Sequence, residues 1–81
     1  MADRDDAVVV SLTGDEALVL YEWLHRSSDD DALQAVTIDA AEIVALDALC
    51  ALLERELVEP FDPNYVELVD AARRRLRSSS D

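Results

Sequence analysis

The chain has one glycine, Gly14, and two prolines, Pro60 and Pro63, in 81 residues, and these positions punctuate it into helical stretches. Thr13 stands three residues before Glu16. In this capping-box spacing the Thr13 hydroxyl accepts from the Glu16 amide while the Glu16 carboxylate accepts from the Thr13 amide. A helix is therefore expected to start near Gly14 and to carry Ala17, Leu20, Tyr21 and Leu24 on one face. It should stop around Ser27, because Ser28, Asp29, Asp30 and Asp31 offer turn chemistry and mutual repulsion. Asp39 and Glu42 repeat the capping device and open a helix over residues 40–58, the central element. That helix ends before Pro60, since the residue preceding a proline is pushed out of helical geometry. Asp62 and Pro63 supply a cap and a first-turn proline for a last helix over residues 63–77.

Two segments favour extended chain. Val8, Val9, Val10 and Leu12 form a β-branched run suited to a short strand. Within residues 33–38 the alternation is too brief to separate a strand from an irregular lead-in, and the trio Val36, Thr37, Ile38 tips it toward strand. The expected fold is α+β, mainly α: three helices with a short two-stranded sheet, in the order strand, helix, short strand, helix, helix. If the strands pair in parallel, the first helix is a right-handed crossover. Two strands alone are barely stable and need helices or a second subunit over them. Residues 1–7 read as a frayed N-terminus, 8–77 as one compact domain and 78–81 as a disordered tail.

Charge narrows the function classes. There are 19 acids against 7 bases, all arginine, for a net charge of −12. Residues 1–70 hold 18 of the acids with Arg4, Arg26 and Arg55, a balance of −15. Arg73, Arg74, Arg75 and Arg77 meet only Asp81 in the last eleven residues, a balance of +3. An acidic body repels phosphate backbones and anionic lipid, so neither nucleic acid nor membrane is expected as a partner, and a basic protein is possible. The same charge also serves to keep a small apolar-rich chain in solution. No apolar run reaches 18 residues, the first ten residues lack the basic and apolar pattern of a leader, and the single Cys50 has no partner for an internal disulfide. The expected compartment is the cytoplasm.

The helical wheels carry more apolar surface than a monomer needs. On the long helix Ile43, Leu46, Leu49, Cys50, Leu53 and Leu57 make a core-facing stripe, yet Val44, Ala48, Ala51 and Leu52 occupy the opposite side. On the first helix Val19 and Trp23 lie away from the stripe of Ala17, Leu20 and Leu24. The last helix is one-sided, with Tyr65, Leu68, Val69, Ala72 and Leu76 inward. Either the first and last helices flank the long one and cover both its sides, or Val19, Trp23, Val44, Ala48, Ala51 and Leu52 form an interface, with Trp23 as its aromatic anchor. A symmetric dimer is the commonest way to close such a patch.

No constellation of residues announces catalysis. His25 and Cys50 are the only imidazole and thiol, and the thiol sits in a core stripe where it acts as a small hydrophobe. One Cys and one His leave half of a zinc site to carboxylates. Asp29, Asp30 and Asp31 lack the alternating ligand spacing of a calcium loop. A single glycine excludes a glycine-rich phosphate loop. Arg73, Arg74, Arg75 and Arg77 suit a helix C-terminus on dipole grounds, with no aromatic residues beside them to stack bases. An acyl carrier protein would need a serine in an Asp-Ser-Leu context, and the nearest string, Asp47, Ala48, Leu49, has none. No cofactor or metal is expected.

Asp15, Glu16, Ala17, Leu20 and Trp23, then Leu53, Glu54 and Leu57, then Glu59, Pro60, Phe61 and Tyr65, and finally Ala72 with Arg73 carry a resemblance to a group of small uncharacterised bacterial proteins. The shared string around residues 57–65 reads LVEPFDPNY, a helix-helix corner that Phe61 is expected to plug, packing beside Tyr65. The resemblance covers about two thirds of the chain and implies fold, not activity. The expected function is that of a non-enzymatic, acidic protein-binding or regulatory domain, self-associating as a homodimer through apolar helix faces. The alternative is an acidic antitoxin or immunity protein that neutralises a basic toxin.

Overall fold

Both helix-start signals form hydrogen bonds. The Glu16 amide donates to Thr13 Oγ1 at 3.1 Å and the Thr13 amide donates to Glu16 Oε1 at 2.9 Å, a complete capping box. At the second site the Ala41 amide donates to Asp39 Oδ1 at 2.7 Å, while Glu42 accepts from the Ile38 amide at 2.9 Å, one residue earlier than a capping box requires. These caps satisfy backbone donors that a helix start leaves without partners. The computed structural model describes residues 7–79, and the elements among them are α1 (Gly14–Asp29), α2 (Ala32–Val36), α3 (Ala40–Glu56), a 3-10 turn (Glu59–Phe61) and α4 (Tyr65–Ser79).

No strand occurs among the described residues, so the expected two-stranded sheet is wrong and the fold is helical. The second strand is lost first. Asp31 adopts a left-handed conformation, φ 58°, which a short polar side chain tolerates better than most, and it turns the chain into α2. Leu33 is then buried, and that burial outweighs the β-preference of Val36, Thr37 and Ile38. Without a partner no ladder can form on residues 8–12, which remain exposed and outside any regular element. Residues 1–6, where the frayed N-terminus was expected, and residues 80–81 of the expected tail lie outside the described residues. α4 starts two residues later than expected: the Asn64 amide donates to Asp62 Oδ1 at 2.8 Å, but this bond closes a turn through Pro63 and Asn64 ahead of the helix, so the expected cap at Asp62 with Pro63 in the first turn does not form.

The central helix is α1, not α3. It packs against α2, α3 and α4, and its Leu18, Tyr21 and Leu24 meet Leu53 and Leu57 of the α3 end and Val69 and Ala72 of α4 in one cluster. Tyr21 lies within electrostatic reach of Cys50 and Glu54, and Cys50 in turn of Asp29 in the last turn of α1, so α3 runs antiparallel to α1. α4 is antiparallel as well, because Arg75 near its end grips Asp15 in the first turn of α1, while Tyr65 at its start lines a cleft with Tyr21 and His25. Antiparallel neighbours are what short helix connections permit.

Leu24 is 1% exposed at the centre of this packing. Leu24→Ala is expected to cost about 2–5 kcal/mol, a large part of what a chain this short possesses, and a urea titration followed by circular dichroism measures it. Asp31→Gly removes the side chain from a left-handed position and one charge from an acidic run, and should raise stability by about 0.5–1 kcal/mol. A lowered midpoint for Asp31→Gly would mean that the aspartate side chain itself holds the turn.

Candidate apolar docking surface

Because α1 takes the centre, α3 is covered on one side only. Leu53 and Leu57 are buried, and Leu46, Leu49 and Cys50 are half-buried against the same cluster. Successive residues turn by 100° along a helix, which places Ala41, Val44, Ala45, Ala48, Ala51, Leu52 and Arg55 on the far side, and all seven are exposed. Val44 is 68% exposed and Leu52 56%. Arg55 is the one charged group on this stripe. Asp47 and Glu54 border one edge and Glu56 the other, so an apolar strip runs between acidic margins.

The six expected interface residues do not share one surface. Val44, Ala48, Ala51 and Leu52 lie together on α3, whereas Val19 is half-buried and packed against the core. Val19 follows Asp15 by one turn on the side of α1 that α4 covers, as the Asp15–Arg75 pair shows. Trp23 is 44% exposed and lies about 160° around α1 from Tyr21, two residues at 100° each from the core side. Phe61, expected to plug the helix corner, is 77% exposed. Pro60 takes that place, lining a small cleft with Tyr21, Glu22, His25 and Tyr65.

Sequence reasoning missed a second apolar feature beside the first turn of α3. Gln34, Thr37, Ile38, Asp39, Ala40, Ile43 and Val44 line an open groove of about 490 Å³. Ile38 on its rim is 93% exposed. The signal was present in the Val36, Thr37, Ile38 trio, which reads as a strand only if a partner strand exists.

The polar groups are engaged structurally. Arg73 donates to Glu22 Oε2 at 3.0 Å and to Asp70 Oδ1 at 3.2 Å, Arg26 also reaches Glu22 at 2.8 Å, and Arg75 makes a two-pronged pair with Asp15 at 2.7 and 2.8 Å. The hydrogen bond from Arg75 holds the Asp15 carboxyl below its ordinary range. His25 Nδ1 lies 3.4 Å from Asp29 Oδ2, and its ring tilts against Tyr21 with centroids 5.7 Å apart. Burial pushes the Cys50 thiol up, helped by the carboxylates of Glu54, Asp47 and Asp29, which keeps it in the unreactive thiol form. The cleft beside His25 holds about 150 Å³, below the roughly 300 Å³ at which ligand pockets begin. Among the described residues no three of His, Cys, Asp or Glu are grouped to hold a metal ion, and no helix is long and apolar enough to cross a membrane.

Comparison with protein families, with curated proteins and with solved structures returns no match to this chain.

Both tyrosines are tied to the α1 packing. Burial raises Tyr21, and burial with the neighbouring Glu22 pushes Tyr65 up to about 12. The folded state therefore keeps phenol protons that the unfolded chain releases near pH 10. Stability should be intact below pH 10 and fall as the pH rises from there toward 12. Absorbance at 295 nm should stay low at pH 10 and rise together with loss of helix; half-ionisation at pH 10 with the helices intact would contradict the packing described.

Proposed function

We propose that this chain is a non-enzymatic protein-binding domain that self-associates through the outer face of α3. The observation that carries the reading is the exposed strip of Val44, Ala48, Ala51 and Leu52, with Ala41 and Ala45 continuing it and no acid within it. Small residues let two helices approach closely, at about 8–10 Å between axes. An isologous contact needs a surface that complements itself. Two α3 helices laid antiparallel about Ala48 meet this need: Val44 faces the partner's Ala51, Ala45 faces the partner's Leu52, and the helix dipoles oppose each other favourably.

Electrostatics sets the salt dependence. In an antiparallel pair like edges meet, which brings Asp47 and Glu54 of both copies to one margin, on top of two bodies of −12 each. Salt screens this repulsion within about 10 Å at 0.1 M and leaves the apolar contact intact, so association strengthens as salt rises. A basic partner is the second reading, in the manner of an acidic protein that masks a basic toxin. Its support is that Arg73 and Arg75 are occupied by Glu22, Asp70 and Asp15, while Asp29, Asp30 and Asp31 stay exposed at the α1–α2 corner.

Sedimentation equilibrium tests the proposal. The chain should dimerise more tightly in 0.5 M than in 0.05 M salt, and Val44→Glu with Leu52→Glu should make it monomeric at both while helical content stays constant. A monomer at every salt concentration, or a dimer that those two changes leave untouched, would discard the α3 interface. Dissociation of the dimer as salt rises would instead mark charge pairing as the driving contact.

A further inference from the structure

We infer that residues 7–12 form an arm that docks in the α2–α3 groove of a second copy of this chain, each copy giving its arm and receiving the other's. This rests on the self-association proposed above and names a further contact that the pair exchanges. Two unpartnered features motivate it. The arm, Ala7, Val8, Val9, Val10, Ser11 and Leu12, is uncharged, and none of the hydrogen bonds among the described residues involves it. Val8 and Val9 are each 88% exposed. The groove carries one charged lining residue, Asp39, and an oxygen of that carboxylate already accepts from the Ala41 amide. Gln34 and Thr37 on its wall supply side-chain donors and acceptors for an extended backbone.

The reach of the chain selects the second copy. Val9 is four residues from Thr13, so it extends at most about 14 Å beyond the start of α1. α3 is antiparallel to α1, which puts the groove beside the last turn of α1, about 24 Å away along a helix of 16 residues. The arm cannot bring Val9 to its own groove. In the antiparallel α3 pair, however, the start of one α3 lies beside the end of the other. The end of each α3 packs at the start of its own α1, where the arm leaves, so each arm emerges next to the partner's groove.

The area agrees with this occupant. Val8, Val9, Val10 and Leu12 on the arm, with Ile38 and Val44 of the groove and Leu52 of the α3 strip, are seven exposed aliphatic side chains. At roughly 100 Å² each they approach the ~800 Å² per partner of a specific interface. From Ala7 to Leu12 the arm itself is uncharged, whereas Asp5 and Asp6 precede it, so this contact too strengthens as salt rises.

The test uses the full-length chain carrying Cys50→Ala, Val9→Cys and Ile38→Cys, treated with the short cross-linker bis-maleimidoethane. Exchange predicts a covalent dimer on a denaturing gel. A cross-link within one chain, or none where sedimentation shows a dimer, overturns it. In a second arm, Val9→Asp should weaken dimerisation at least tenfold with helical content unchanged. A dimer of undiminished affinity in Val9→Asp refutes the arm while leaving the α3 face standing. A chain that is monomeric throughout refutes both.

Discussion

The fold depends on α1 being packed on more than one side. A chain of this size has apolar surface enough for one shared centre, and the helix that takes it determines what the others leave uncovered. α1 offers Leu18, Tyr21 and Leu24 to both flanking helices, contacts α2, whose Leu33 is buried, and is tied at its first turn to the far end of α4 by the Asp15–Arg75 pair. Each outer helix then needs only one buried stripe. For α4 this is harmless, since its outer face carries Glu67, Asp70 and Arg74. For α3 it is not, because the outer face of that helix is nearly as apolar as the inner one.

The charge pattern follows the same geometry. The arginine cluster of α4 reads as an isolated basic patch, but two of its members fold back on acids of α1 and α4. Exposed pairs of this kind stabilise a fold by little, on the order of 0–1 kcal/mol each. Their larger consequence is to place basic groups over the acids of α1. Among the described residues no arginine pairs with the exposed Asp30 and Asp31 of the α1–α2 corner or with the acids edging α3, so a second copy meets repulsion at the margins and attraction at the centre.

The extended arm and the α2–α3 groove belong together as consequences of the missing sheet. Had residues 33–38 formed a strand, the valines of residues 8–10 would have had a ladder partner within the chain. With Asp31 turning the chain into α2, the arm and the side chain of Ile38 are both left exposed among the described residues, at opposite ends of α1.

Much of the architecture is legible in local chemistry. The capping box at Thr13 and Glu16, the Asp39 cap, the turn at Asp62 and the halt before Pro60 are short-range hydrogen-bond and steric effects, and each sits within a few residues of where the sequence puts it. The apolar stripe of α3 is equally legible, because helical periodicity depends on the residues of one helix alone. What only tertiary structure decided is which helix takes the centre, whether residues 33–38 coil or extend, and where Val19 and Phe61 come to rest. Those outcomes compare burial against partners distant in the chain, and when Leu33 gains more by packing on α1 than Val36 and Ile38 gain by pairing, β-propensity yields. Local signals mark where helices begin and end; the competition for a single small core settles how they are arranged.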